Sequence, residues 1–177
     1  MRVKSLRGLS DIELLKTIAI ASDHNGFLMK EHLLQFLKEK GYAVSDQGCF
    51  SEDSVDYPQY AMLVSEQLQK ETADYGILIC GTGIGMCIAA NKFQGIRAAL
   101  CSDVFTARMT KEHNFSNVLC LGAHSVSQSV AAEVVLTWLE TEDFLPESRH
   151  VRRVQMITDI EEGQKQLVTK VVDAFGL

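Results

Sequence analysis

The sequence predicts an α/β domain with a doubly wound, five-stranded parallel sheet and an additional C-terminal helix, and two observations predict it. Five short apolar runs are mostly uncharged, as strands buried on both faces are. Segments with helical spacing of apolar residues lie between them, so strand and helix alternate along the chain.

The strands are expected at residues 17–22, 42–46, 75–80, 96–101 and 117–121. Residues 26–40 set Phe27, Leu33, Leu34 and Leu37 near one helical face and close at Gly41, a glycine stop. Residues 58–70 form the next helix, with Pro58 at its first position, where the missing N–H costs nothing. Two further helices are expected at 104–112 and 126–140. After Pro146 the chain turns polar over 147–153, and 154–175 reads as one long helix with no strand to follow. That helix packs either on a second subunit or on its own domain; the pattern favours neither. Ser10, Asp11, Ile12 and Glu13 have capping-box spacing for a short helix before the first strand. The expected organisation is an N-terminal extension over 1–16 and a single domain over 17–177, with no internal repeat.

The 177 residues are 46% hydrophobic and 23% charged, enough for one full-sized core. A formal net charge of -6 lacks the basic surplus needed to grip nucleic-acid phosphates, so nucleic acid is not an expected partner. A small anion is compatible with it, because a few cations and backbone N–H groups suffice to bind one phosphate. Five cysteines are an odd number without a C-x-x-C pair, which reads as reduced thiols in the cytosol. Arg2, Lys4 and Arg7 are soon followed by Asp11 and Glu13, and no apolar run is long enough for a signal peptide or a membrane span. The expected location is the cytoplasm, away from membranes.

Ligands of such sheets bind at the carboxyl ends of the strands, and those positions are rich in polar chemistry. The first strand ends in Ser22-Asp23-His24-Asn25-Gly26 and the third in Cys80-Gly81-Thr82-Gly83-Ile84-Gly85. The fourth ends in Cys101-Ser102-Asp103, and the helix before the fifth ends in His113-Asn114. The glycine-rich turn suits close backbone approach to an anion. A dinucleotide fingerprint with Asp103 as ribose ligand competes, but the spacing is G-x-G-x-G and the loop follows the third strand. A tight turn with no ligand is the plain alternative. An oxyanion-stabilising loop is favoured because Cys80, just before it, is a candidate base beside a helix N-terminus; Cys49, Cys87, Cys101 and Cys120 read as small core hydrophobes. His24 and His113 read as two functional histidines at one sheet edge. Metal binding needs convergent ligands, whereas the His, Cys and Asp residues are scattered over different units. Arg149 and Arg153, four apart, form either a solvated face or a phosphate clamp.

Taken together, these motifs resemble those of the type B ribose-5-phosphate isomerases, a family that includes the subunits of galactose-6-phosphate isomerase. The resemblance spans residues 18–160: the Asp23-His24-Asn25-Gly26 turn, Asp56-Tyr57-Pro58, the Ile79–Gly85 run, Ala89-Ala90-Asn91-Lys92, Gly95-Ile96-Arg97-Ala98, His113-Asn114, and Arg149-His150 with Arg153. It implies a Rossmann-like homodimer with the active site between subunits, pairing of two dimers being left open, and an enediolate mechanism that uses no metal and no cofactor. In that scheme Cys80 moves a proton between C2 and C1, and His113 helps open the sugar ring. Thr82 and the N–H groups of Gly81, Gly83, Ile84 and Gly85 would stabilise the enediolate oxygens. Asp23 and Asn114 would hold hydroxyls, and His24, Arg149 and Arg153 the phosphate. His124, within Gly122-Ala123-His124-Ser125, stands where family members usually carry a phosphate-binding Arg; the longer N-terminus is a second departure. The expected substrate is a small phosphorylated sugar, ribose 5-phosphate with ribulose 5-phosphate as product. The alternatives are a hexose or tetrose phosphate, a non-catalytic sugar-phosphate-binding subunit and a nucleotide-binding module.

Overall fold

A computed structural model of the chain describes residues 16–142 and 149–163. The expected alternation is present as β1 (Thr17–Ser22), α1 (Phe27–Glu39), β2 (Ala43–Asp46), α2 (Tyr57–Gln69), β3 (Tyr75–Cys80), α3 (Ile84–Ala90), β4 (Ala98–Leu100), α4 (Val104–Asn114), β5 (Val118–Gly122), α5 (Gln128–Glu140) and α6 (Arg149–Glu161). All strand pairs are parallel, and the sheet order is β2-β1-β3-β5-β4.

Alternation of side chains along the central strands divides the core in two. Ile18, Ile20, Ile77, Ile79, Leu119 and Leu121 join residues of α1 and α5 on one face. Ala19, Ala21, Leu78, Cys80, Val118 and Cys120 join residues of α2 and α3 on the other. Trp138 of α5 is fully buried, edge-on to Tyr75 with centroids 5.2 Å apart, and its indole N–H donates to Ser116 Oγ at 2.8 Å. That bond satisfies the one polar atom of the largest buried side chain.

Two boundaries differ from expectation. β4 is shorter than the apolar run because the Ile96 N–H turns back to the Phe93 carbonyl, leaving only three residues in ladder geometry. The last helix already includes Arg149, inside the stretch read as polar loop, since arginine is a good helix former despite its charge. It closes near Gly163, whose φ of 76° is a helix-ending conformation, so the expected unbroken helix over 154–175 is interrupted there. Residues 164–177 and the Ser10–Glu13 capping box lie outside the described residues.

Packing of the first crossover is tight where it matters for the site. A Cβ at Gly26 would stand 2.7 Å from the Ile79 carbonyl oxygen of β3, so α1 can start here only over a glycine. Gly26→Ala is expected to destabilise the chain by about 1–3 kcal/mol, the usual cost of overpacking, measured by urea denaturation; a loss below about 0.5 kcal/mol, the size of an ordinary surface change, would contradict this packing.

Candidate active site

The order β2-β1-β3 is a topological switch: the chain leaves β1 toward one side of the sheet and returns as β3 on the other. Crevices open at such points. Here the Asp23 N–H donates to the Ile79 carbonyl at 3.0 Å, tying the β1 turn to the end of β3. From the far side, the N–H groups of Ala123 and His124 after β5 donate to the carbonyls of Cys80 and Gly81, each at 2.9 Å. Three strand ends are thereby stitched into one rim.

Asp23 is buried and caps a single-turn 3-10 helix (His24–Gly26), its carboxylate accepting the Gly26 N–H at 3.0 Å. His24 Nδ1 accepts the Val55 N–H at 3.3 Å. Asn25 Nδ2 stands 3.0 Å from the other ring nitrogen, Nε2. These two contacts fix the His24 ring at the rim.

Cys80 ends β3 at 5% exposure, and its sulfur accepts the Gly83 N–H at 3.1 Å. The backbone donor anticipated beside Cys80 is therefore present. Gly83 has φ 75°, and a Cβ there would sit 2.5 Å from Leu100 and 2.8 Å from the Leu121 backbone; glycine is required both by conformation and by space. Thr82 is exposed, and its Oγ1 lies 3.4 Å from the Ile84 N–H that opens α3. Gly85 is covered by the Tyr57 ring, 2.8 Å from where a Cβ would be. The exposed His124 ring lies over Gly81, with Nδ1 3.3 Å from that glycine's Cβ position.

The reading of His24 and His113 at one edge is overturned. α4 starts after β4 and runs back along the sheet, so His113 and Asn114 at its end lie near the start of the strands, where Phe115 O accepts from Arg97 Nε at 2.7 Å. Eleven residues of α4 at about 1.5 Å rise each separate that end from the Cys80 rim by roughly 15 Å. At the second edge His113 stacks on His150 of α6, centroids 4.2 Å apart and planes within 10°. Arg149 and Arg153 belong to the same α6 turn and bear on His150 electrostatically. A cavity of about 280 Å³ lined by Asn114, Arg97, Thr110 and Ile157 lies alongside. The residues singled out by the sequence thus fall into two separate groups: Asp23, His24, Cys80, the glycine loop and His124 on one edge, and His113, Asn114, Arg149 and Arg153 on the other. Sequence reasoning gave no individual part to Asn25, Val55, Tyr57 or His150; their positions depend on contacts between distant segments.

The family model described as Ribose/Galactose Isomerase matches residues 18–157. Ribose-5-phosphate isomerase B of Escherichia coli (strain K12) is 43% identical over 148 residues, covering 84% of this chain and 98% of that protein. The solved Clostridium thermocellum ribose-5-phosphate isomerase B has a TM-score of 0.80 at 45% identity, covering 83% of this chain and 98% of the other. Ribose-5-phosphate isomerase B of Mycoplasma genitalium, solved with bound ribulose-5-phosphate, has a TM-score of 0.78 at 39% identity, covering 82% and 96%.

The stacked histidines generate a titration with a definite sign. His150 is held below the ordinary histidine value of 6.5 by lost hydration, then by His113, Arg149 and Arg153. Because the folded chain binds this proton less well than the unfolded one, the stability is present above the ordinary value and is lost as pH falls through it toward the folded value. Proton NMR should place the His150 midpoint below 6.5, and replacing both Arg149 and Arg153 by Gln should raise it part of the way. A midpoint at or above the free-histidine value would contradict the arrangement.

Proposed function

The chain belongs to the ribose/galactose isomerase family, and from that membership we propose that it interconverts ribose 5-phosphate and ribulose 5-phosphate through an enediolate. The observation that carries the reading is Cys80: a nearly buried sulfur at a strand end, held by the Gly83 N–H, at the head of a loop of backbone donors. The mycoplasma relative solved with ribulose-5-phosphate supports the choice of sugar.

As a thiolate, Cys80 takes the proton from C2 of the open-chain aldose and returns it to C1. Negative charge collects on the carbonyl oxygen as the proton leaves. Thr82 and the N–H groups of the Gly81–Gly85 loop are preorganised to stabilise it. Asp23 holds a sugar hydroxyl. His24 serves the phosphate, and His124 borders the same rim.

Ring opening by His113, a second hydroxyl contact from Asn114 and phosphate binding by Arg149 and Arg153 require those residues to arrive from outside the chain that holds Cys80. A homodimer that sets the His113 edge of one protomer against the Cys80 rim of its partner supplies them, and Val104 and Phe105 of α4 and Ile157 and Ile160 of α6 are exposed apolar side chains suited to such a contact. A cytoplasmic setting belongs to the same reading, supported by five free cysteines. No described helix is long and apolar enough to cross a membrane.

Cys80→Ala is expected to lower turnover by about 10²–10⁴-fold while preserving the circular dichroism spectrum, in a coupled isomerase assay over pentose, hexose and tetrose phosphates. The assay should run equally well after dialysis against EDTA. Near-normal turnover in the variant, or preference for a hexose or tetrose phosphate, would refute the assignment.

The shared site has its own test. Cys80→Ala and His113→Ala, each inactive alone, should regain about a quarter of wild-type activity when unfolded and refolded together, since half the dimers are then mixed and each mixed dimer rebuilds one of two sites. No recovery, with mixed dimers verified by mass, would mean that each site draws both residues from one chain.

A further inference from the structure

The loop that follows β2 reaches the rim through Val55, whose N–H donates to His24 Nδ1. The start of that loop is bonded to the end of β1 on both sides of one residue. The Ser22 N–H donates to the Gly48 carbonyl at 2.7 Å, and the Cys49 N–H donates to the Ser22 carbonyl at 3.0 Å. Ser22 directly precedes Asp23 and His24.

One ammonium group fastens this loop to α1. The Lys30 side chain has no exposed surface, and its Nζ lies 2.7 Å from Asp46 Oδ2 and 2.6 Å from Glu31 Oε1. The second Asp46 oxygen accepts the Gly48 N–H at 2.9 Å. Phe50 of the loop and Phe27 at the start of α1 place their ring centroids 5.6 Å and 5.5 Å from the ammonium. A lysine is buried this completely only where carboxylates meet its charge, and Asp46 and Glu31 do so. These contacts close a ring: from His24 along the chain to Lys30, across to Asp46 and Gly48, and back through Ser22 to Asp23. The turn bearing Asp23 and His24 is one segment of that ring.

We propose that the Lys30–Asp46 ion pair is a positioning couple for the phosphate contact of His24, acting through Gly48 and Val55 and touching no substrate atom. The inference rests on the reading of His24 as a phosphate contact. Without the ammonium, the Asp46 carboxylate turns toward water, since a quarter of its side chain is already exposed, and the Gly48 N–H loses a fixed acceptor. Val55 then holds His24 from a loosened loop, and the loss falls on binding. Cys80 and its Gly83 donor belong to the β3–α3 turn, outside the ring, so proton transfer is spared.

The test is a double-mutant cycle on the intact protein: wild type, Lys30→Met, His24→Ala and the double variant. KM and kcat are measured for ribose 5-phosphate, or for whichever sugar phosphate the coupled assay selects, and circular dichroism checks the fold. Lys30→Met is expected to raise KM about tenfold, the size of one charge-assisted hydrogen bond, and to leave kcat within about twofold. With His24 already replaced, the same change should move KM by less than about twofold, an outcome that a general loss of stability does not produce. Where Lys30→Met does not fold, Asp46→Ala, at the partly exposed end of the pair, takes its place in the cycle with the same expected result. An unchanged KM in the folded variant, an equal rise with and without His24, or a loss confined to kcat would each overturn the proposal. A KM raised by His24→Ala but not by loss of the ion pair removes the positioning couple alone. If His24→Ala itself leaves KM unchanged, the reading of His24 is the one at fault and the couple falls with it.

Discussion

The main-chain hydrogen bond from the Asp23 N–H to the Ile79 carbonyl is the contact on which the site depends. It continues the β1–β3 ladder one step beyond the strand ends, at the place where the chain reverses its direction of travel across the sheet. Because the bond lies beside a glycine that lets α1 start against β3, the turn carrying Asp23 and His24 is held against the Cys80 loop. Two segments more than fifty residues apart in sequence become one rigid rim. Capping of the 3-10 turn by Asp23 and the Val55 N–H on His24 then set the side chains upon it. Each local device has meaning only because the register beneath it is set.

Parallel architecture also limits what one chain can do. Every crossover helix begins at the carboxyl edge of the sheet and ends at the amino edge, so functional residues at helix ends lie a helix length from those at strand ends. His113 is such a residue, and its stacking partner His150 comes from α6, an addition to the sheet unit. Within that constraint the proposed association of two chains would bring both kinds of residue together without altering the fold. The acidic formal net charge of the whole chain is no obstacle to an anionic substrate, since a few cations gathered locally, as Arg149, Arg152 and Arg153 are at the start of α6, can make a positive patch.

The open edge of β4 shows a related economy. An unpaired strand edge invites association with another strand, and here the Asn91 amide and the Cys87 thiol occupy its hydrogen-bonding groups. A cysteine placed to complete the packing of an edge thereby gains an electrostatic setting unlike that of Cys101 or Cys120, which burial alone governs in the main.

Local pattern determined the element order, the parallel sheet and the polar strand ends, since buried strands and amphipathic helices write their periods directly into the residues. Cys80 and its loop were legible for the same reason: strand, glycines and helix start are contiguous, so the donor at Gly83 follows from sequence spacing. The late start of β4 and the helical state of residues 149–153 were not, because the one is set by a turn bond and the other by a helix propensity that charge conceals. The position of His113 was decided only by tertiary structure; sequence places it before a strand, but the direction in which α4 crosses the sheet decides which edge it occupies. Cys87 was read as an ordinary core thiol because its contacts with Asn91 and the Ala98 carbonyl depend on where α3 meets β4. Sequence reports what each residue can do, and tertiary structure decides which neighbours it does it with, because hydrogen bonding and charge act over a few ångströms of space, whatever the separation along the chain.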